Sequence, residues 1–402
     1  MESAAAALKG FRSLVGLSPL EAQELYRRAE ADGGVGRGAV ALKRELDKRK
    51  AAYMRVVLTV APALGMTHGN PGMQGEVWGM LEQLPFQDRF MLYGAWRGHG
   101  MEKHAFGHKH PQYAVAEMAS GAEISRLIKM LTSDNVKDMA RKLGKSSHGH
   151  PLLFAEKVLN QLESYDNFIS MVADSLRFVG HTLGLDCVAY TMVQHICQTN
   201  RRFMDESGLT LERWVTNLST FAGLLYRKHP ETESKAVLSW AVRCLGEGGE
   251  AAMAAGKMLR EVLHQAGGVQ VLDGWSITQA QVDGKGGGDV LRTENASFGS
   301  TVKPIKRARN LLQESTEIAG ASLPLLVLPA LQTEALLYEG GSMDDQMRGK
   351  PQPHLKVLGH RSDETHTTML QATEFVCFAK TWIRTKCPSI QTLVSARGRG
   401  GG

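Results

Sequence analysis

Apolar residues recur at intervals of three and four along most of the chain, a spacing that predicts amphipathic helices. The clearest run follows Pro151, where Phe154, Val158 and Leu162 stand four residues apart. Pro suits a first helical position because its φ is already close to the helical value. A second run lies beyond a polar joint at 165–167: Phe168, Val172, Leu176 and Val179. This pattern predicts a helical hairpin, in which a short turn joins two antiparallel helices.

The same spacing predicts helices elsewhere, while the alternation typical of strands is scarce. Helices are predicted at 39–64, 77–84, 86–96 and 366–378, among others, and a loop at 67–74. We therefore predict an all-α fold, a HEAT-like solenoid of helical hairpins interrupted by Gly-rich loops. The amino-acid sequence shows no strict repeat period, so the repeats are predicted in the structure and not as repeated sequence.

Breaks in the periodicity divide the chain into five predicted regions. The longest break includes 283–289, which is rich in glycine and has no apolar anchor. The regions are an N-terminal helical region at 1–111, a helical-repeat middle domain at 112–272, a flexible loop at 273–310, a C-terminal helical region at 311–396 and an Arg-Gly tail at 397–402.

Composition narrows the functional classes. The 402 residues are 43% hydrophobic, which is enough to build a core, and the net charge of +6 permits contact with anionic partners without requiring it. The five cysteines are odd in number and contain no C-x-x-C pair, which favours a reducing compartment over a disulfide framework. The sequence contains no apolar run of about 18 residues, so no membrane-spanning helix is predicted.

A basic turn is predicted before Pro151, carrying Arg141, Lys142 and Lys145. Gly144-Lys145-Ser146 within it resembles the end of a phosphate-binding loop, but that motif needs a glycine where Met139 stands and a strand before it. A surface turn or partner contact is therefore favoured over nucleotide binding.

The positions of the histidines favour structural roles over metal binding or catalysis. His99, His104, His108 and His110 share a glycine-flanked segment without a metal-binding spacing, which favours a solvated loop over a metal site. His148 and His150 precede the Pro151 helix and are predicted to satisfy its first donors or to lie on the surface. No catalytic residue, metal ligand or cofactor is predicted.

Two further sets of residues were weighed for nucleic-acid binding. A core position is favoured over a base-stacking surface for four aromatics at helical spacing: Trp214, Phe221, Tyr226 and Trp240. Arg397 and Arg399 stand among glycines in the tail, and such Arg-Gly segments can bind RNA weakly through charge and stacking.

The segment 144–176, GKSSHGHPLLFAEKVLNQLESYDNFISMVADSL, resembles the middle region of the THO complex subunit 2 family. In that family a turn consists of Gly, Lys, a residue with a hydroxyl group, Ser and His. It is followed by a helix that begins with Pro, by a Tyr-Asp-Asn joint and by a helix that ends in Asp-Ser-Leu. Smaller matches follow in order on both sides, including 92–96, 129–137 and 226–230, so the resemblance covers roughly 85–376.

The resemblance implies a non-catalytic scaffold in the nucleus, part of a THO/TREX-type complex that couples transcription to mRNA processing and export. It implies a helical architecture like the middle domain of initiation factor 4G, with other THO subunits and an export DEAD-box RNA helicase as partners. The expected contact positions are Arg141, Lys142, Lys145, Tyr165 and Asp166. The alternative is a direct RNA-binding helical-repeat protein, although the regular reader positions of that class are absent.

Overall fold

The described part of the chain is helical. The computed structural model describes residues 37–66, 69–98, 111–132, 134–179, 183–198, 201–206, 210–269, 303–340 and 352–386. Within these ranges no strand forms, and the only bridge pairs Met204 with Leu211. The all-α class predicted from the periodicity is confirmed.

Helix bounds follow the apolar pattern closely in most of these ranges. The α-helices are α1 Arg37–Val60, α2 Pro71–Leu81, α3 Phe86–Arg97, α4 Pro111–Lys129, α5 Val136–Ser147, α6 Pro151–Ser164, α7 Phe168–Ser175, α8 Leu183–Ile196, α9 Arg213–Lys228, α10 Lys235–Glu247, α11 Gly249–Gln265, α12 Lys303–Ile318, α13 Ser322–Gly340 and α14 Gln352–Lys386. Short 3₁₀ helices follow α1 at Ala61–Met66 and α7 at Leu176–Phe178. No helix in the described ranges is both long and apolar enough to cross a bilayer.

The chain divides into two compact units. The first takes its described residues from Met1–Leu162 and Met171–Cys197, and the second from Glu163–Ser170 and Gln198–Gly402. The five regions predicted from the sequence remain a prediction.

The first unit has a core built from α1, α2, α3 and α8. Its buried side chains include Val57, Leu81 and Leu92, each with almost no exposed surface. The hydroxyl of Tyr53 donates to the carbonyl oxygen of Met80 at 2.7 Å, so a buried polar atom also ties α1 to α2. This hydrogen bond satisfies a hydroxyl that would otherwise be costly to bury.

A buried ion pair joins α3 to α8 inside this core. The guanidinium of Arg89 donates to both carboxylate oxygens of Asp186, from Nε at 2.8 Å and from Nη2 at 3.1 Å. Its Nη1 donates to the carbonyl oxygen of Leu84 at 2.8 Å, and the hydroxyl of Tyr93 donates to Asp186 at 2.6 Å. Burial and the Asp186 carboxylate raise the pKa of Tyr93 well above its ordinary value, so Tyr93 remains a neutral donor.

The second unit is organised around α11, which packs against α9, α10 and α14. Gly223 of α9 allows a close crossing, because a Cβ there would lie 2.6 Å from the carbonyl oxygen of Glu261. Beyond α11, Arg309 of α12 donates to the carbonyl oxygens of Gly267 and Gly268, which α11 leaves without helical partners. These contacts make α11 the central helix of the unit.

Two loop predictions were wrong, because local capping or packing favours a helix at those positions. The loop predicted at 67–74 contains the start of α2, because the Asn70 side chain accepts the Gly72 N–H at 2.9 Å and Pro71 occupies the first helical position. The basic turn with Arg141, Lys142 and Lys145 is part of α5. Farther along the chain, the basic residues that follow Lys303 begin α12, whose Ala308 and Leu312 are buried at helical spacing.

The buried ion pair gives the first prediction. Asp186→Asn removes the carboxylate charge but keeps the side-chain shape, and leaves the Arg89 guanidinium buried without its counter-charge. We expect the free energy of unfolding of the first unit to fall by about 3 kcal/mol or more, measured by urea denaturation followed by circular dichroism. Asp138→Asn, at a carboxylate that is 77% exposed, is the control and should change the free energy by less than about 0.5 kcal/mol. Equal effects of the two substitutions would contradict the role of the ion pair.

Candidate interaction surfaces

The basic residues expected to contact partners lie on an exposed face of α5. Lys137, Arg141 and Lys145 follow one another at four-residue steps, so they project from the same side of the helix, and all three are exposed. Ala140, Leu143 and Gly144 are buried on the side of the helix next to this row. The correction from turn to helix therefore arranges these cations in a row.

Lys142 has a different environment from its two neighbours. It is exposed, but its charge contributes to the lowered pKa of Glu123 on α4, where the hydrogen bonds from Arg126 are the main cause. Lys142 is not part of the four-residue row that contains Arg141 and Lys145. Of the three predicted positions, the structure brings two together on one face.

Gly144 allows Phe178 to lie next to the basic face of α5. A Cβ at this position would collide with the backbone carbonyl of Phe178, so only glycine allows the 3₁₀ segment Leu176–Phe178 to rest directly on α5. Phe178 then lies beside two guanidinium groups, with the Cζ of Arg141 at 5.8 Å and that of Arg177 at 4.7 Å from its ring centroid. We call Lys137, Arg141, Lys145, Arg177 and Phe178 the α5 surface.

The Gly144-Lys145-Ser146 sequence does not form a phosphate-binding loop. Gly144 is buried within α5, and the Ser147 hydroxyl donates back to its carbonyl oxygen at 2.6 Å. A phosphate-binding loop needs free backbone N–H groups that point toward the anion, and here those groups are inside a helix. The surface turn that we favoured instead is also wrong, because the segment is helical.

The two histidines before α6 connect this region to α2 and to the 3₁₀ helix after α1. His148 Nδ1 forms a hydrogen bond with Gln74 Oε1 at 2.8 Å, and burial lowers the pKa of His148. The ring of His150 packs against Gly65, and its carbonyl oxygen accepts the Phe154 N–H at 2.9 Å. The two side chains contact Gln74 and Gly65 instead of capping α6 or lying on the surface, and these partners could not be identified from the sequence.

The second pair of expected contact residues lies in the second unit. Tyr165 and Asp166 form the exposed joint between α6 and α7, and the Tyr165 and Phe168 rings are 6.1 Å apart. Arg213 at the start of α9 lies 3.4 Å from the Asp166 carboxylate, in a pair exposed on both sides. These two residues belong to the second unit, whereas the three α5 residues belong to the first.

A buried carboxylate beside this joint was not identified from the sequence. Glu163 accepts two hydrogen-bonded contacts from Arg201, at 3.1 and 2.9 Å, and its backbone carbonyl accepts from the Asn217 side chain at 3.2 Å. The Arg201 guanidinium also lies 3.9 Å from the centroid of the Trp214 ring. These contacts hold the joint on α9 and leave Tyr165 and Asp166 exposed.

The core prediction for the aromatics is confirmed for three of the four. Phe221, Tyr226 and Trp240 are buried. Trp214 is only half-buried, because Arg201 covers its ring and its indole N–H donates to the carbonyl oxygen of Arg202 at 3.1 Å. The helical spacing alone could not distinguish it from its buried neighbours.

Other predicted positions give little structural information. His99, His104, His108 and His110 lie outside the described residues, as do Arg397 and Arg399. In the ranges that the structure does describe, no three His, Cys, Asp or Glu side chains come together as metal ligands. In those same ranges Cys187, Cys197 and Cys244 form no disulfide.

Comparison with known families matches the first half of the chain to two adjoining regions. Residues 41–141 match the family described as "THO complex subunit 2 N-terminus". Residues 143–219 match the family described as "Transcription- and export-related complex subunit". Together the matches run from α1 into α9, and the resemblance identified in 144–176 is confirmed.

Curated relatives named THO complex subunit 2 extend this similarity. The Homo sapiens protein is 27% identical over 310 residues, which is 77% of this chain and 18% of that protein. The Arabidopsis thaliana protein is 26% identical over 326 residues, 79% of this chain and 16% of the relative. The Saccharomyces cerevisiae protein is 22% identical over 265 residues. The chain thus spans less than a fifth of the length of these relatives.

The close packing at Gly144 gives the second prediction. Gly144→Ala forces the Phe178 backbone away from α5, and we expect a loss of about 1–3 kcal/mol in the free energy of unfolding, measured by urea denaturation. Gly75→Ala is the matched control, because an added Cβ there meets no atom within 4 Å in the middle of α2. That substitution should be neutral or stabilise by up to about 1 kcal/mol. Similar effects from both would show that the 3₁₀ segment does not rest on α5.

The environment of His148 gives the third prediction. Because burial lowers its pKa in the folded state, the unfolded state takes up the proton first as the pH falls. His148 therefore contributes its full stability above about pH 6.5 and loses it as the pH falls further. The difference in thermal unfolding midpoint between the wild type and His148→Gln should therefore become smaller as the pH falls from about 7.5 to about 5.5. His360→Gln, at an exposed position on α14, is the control, and a difference for His148→Gln that is constant with pH would contradict the prediction.

Proposed function

We propose that this chain, which belongs to the THO complex subunit 2 family, is a non-catalytic scaffold segment of a THO/TREX-type complex in the nucleus. In this role it helps couple transcription to mRNA processing and mRNA export by holding other proteins rather than by catalysing a reaction. The observation that carries the proposal is the pair of adjoining family matches over residues 41–141 and 143–219.

The helical architecture supports a binding role. We propose that the helices continue the arrangement of a HEAT-like repeat, similar to the middle domain of initiation factor 4G. Helices that bury one face against their neighbours leave the opposite faces free over a long surface, which suits several protein partners at once. The proposed partners are other THO subunits and the DEAD-box RNA helicase of mRNA export.

Two exposed surfaces are the proposed contact positions. One is the joint at Tyr165 and Asp166, where an aromatic ring and a carboxylate are exposed. The Glu163–Arg201 ion pair holds the backbone beside this joint in place. Aromatic side chains anchor many protein interfaces because they bury a large area with little loss of conformational entropy. The other surface is the basic face of α5, with Arg141 and Lys145 in its row and Lys142 at its edge.

Direct RNA binding by a helical-repeat protein is the second candidate function. One observation favours it: two arginines flank an aromatic ring on the α5 surface. The two candidates make different demands on the chain. A scaffold must capture THO subunits, whereas an RNA-binding repeat protein must hold RNA tightly with no helicase present.

The fourth prediction tests the joint as a protein contact. The full chain, immobilised and incubated with nuclear extract, should retain THO subunits and the export helicase, detected with specific antibodies. Asp166→Arg should reduce this capture several-fold, because it reverses the charge at the centre of the proposed contact. The fold should survive, since the exposed pair with Arg213 contributes about 0–1 kcal/mol at most.

Glu247→Arg is the matched control, because it makes the same charge reversal at an exposed carboxylate on α10 of the same unit. It should capture as much as the wild type. If the wild-type chain retains no THO subunit, the scaffold function is wrong. If Asp166→Arg and Glu247→Arg capture equally well, the scaffold function stands but the joint is not its contact.

A further inference from the structure

The α5 surface has the composition of an anion-binding surface. The helix α5 carries four cations, at 137, 141, 142 and 145, against a single acid, Asp138. Arg177 adds a further exposed cation from the neighbouring 3₁₀ segment. This concentration of positive charge is much higher than the small net charge of the whole chain suggests.

Local acids neutralise this surface only in part. The Asp138 carboxylate lies 3.6 Å from Arg141, and both side chains are more than 60% exposed. An exposed pair at that distance is weak and can be displaced by a competing anion. Glu123 on α4 is occupied by hydrogen bonds from Arg126 at 2.8 and 3.0 Å. Asp134 and Asp174, exposed acids three residues before Lys137 and Arg177, offset part of the charge of those two cations, but the cations still outnumber the acids on the α5 surface.

Phe178 holds the two guanidinium groups in place. Both lie within 6 Å of its ring centroid, the range of a cation–π contact, and Gly144 fixes the ring by admitting its backbone onto α5. A guanidinium held in this way loses less conformational entropy when it binds a ligand. The sequence positions 141 and 177 are too far apart for this arrangement to be read from local spacing.

We propose that the α5 surface binds single-stranded RNA through its phosphates, with Arg141 and Arg177 as the principal contacts. The row Lys137, Arg141 and Lys145 places a cation about every 6 Å along the helix axis, close to the separation of successive phosphates in an extended strand. The flat guanidinium groups can also stack against bases, which an acidic peptide does not offer. RNA therefore fits the surface better than a carboxylate-rich protein segment.

This inference goes beyond the proposed protein contacts, because it assigns the α5 surface to RNA and leaves the joint at Tyr165 and Asp166 as the protein contact. It rests on the proposed function only for the RNA-rich setting in which the chain operates. Binding of RNA to the purified chain and capture of THO subunits are separate measurements. Either one can therefore fail while the other succeeds.

The test is fluorescence anisotropy of a labelled oligouridine titrated with the full chain, at several salt concentrations. Arg141→Gln combined with Arg177→Gln should weaken binding by about tenfold at low salt. The slope of log affinity against log salt should fall by about 1.4, the value for two lost phosphate contacts on a single strand. Circular dichroism should show an unchanged helix content, because both side chains are exposed.

Arg243→Gln combined with Arg307→Gln is the matched control, since it removes the same charge from exposed positions on α10 and α12. That variant should bind the oligouridine as the wild type does. Equal binding by the two double variants would overturn the proposal, because the RNA would then respond only to total charge. Displacement of the oligouridine by polyglutamate at equal charge concentration would also overturn it, in favour of an acidic protein segment.

Discussion

The buried pair of Arg89 and Asp186 is the interaction on which the first unit depends. It joins α3 to α8 across 97 residues of sequence, and three hydrogen bonds converge on one carboxylate. Removing two charges from water is unfavourable unless every donor and acceptor finds a partner. Arg89 meets this condition by also donating to Leu84 and by lying over the Trp78 ring at 5.4 Å. Such a network fixes orientation, which a purely apolar core of leucines would specify less tightly.

Glycines allow close packing between elements in both units. Gly144 brings Phe178 onto α5 in the first unit, and Gly223 brings α11 onto α9 in the second. Each unit also carries an exposed feature on a fixed support: the flanked aromatic ring beside the basic row in the first, and the joint at Tyr165, held by the Glu163–Arg201 contact, in the second. The proposed scaffold therefore has rigid helices beneath its contact positions. A ligand then meets side chains that are already arranged, so that binding loses little entropy.

Local patterns predicted most of the fold and little of the candidate surfaces. The helices with strong apolar periodicity, such as α6 with Phe154 and Leu162, were predicted because burial and spacing coincide. The start of α2 is hard to predict because glycines follow the Asn70–Pro71 cap and weaken the helical pattern there. Arg141, Lys142 and Lys145 were identified as contact candidates but assigned to a turn, since glycine and serine weaken helix propensity and only the contact with Phe178 explains Gly144. The Arg89–Asp186 pair leaves no local signal, because its members are far apart in sequence.

Hydrogen–deuterium exchange of the chain, alone and after assembly with THO subunits, tests the central claim most directly. A scaffold with a preformed interior should show slow and equal exchange in α3 and α8 in both states, because their amides are protected by the fold itself. The amides at 163–168 should become slower only after assembly. Unchanged exchange at the joint, with new protection confined to the interior helices, would contradict the account, because assembly would then fold the chain rather than dock onto it.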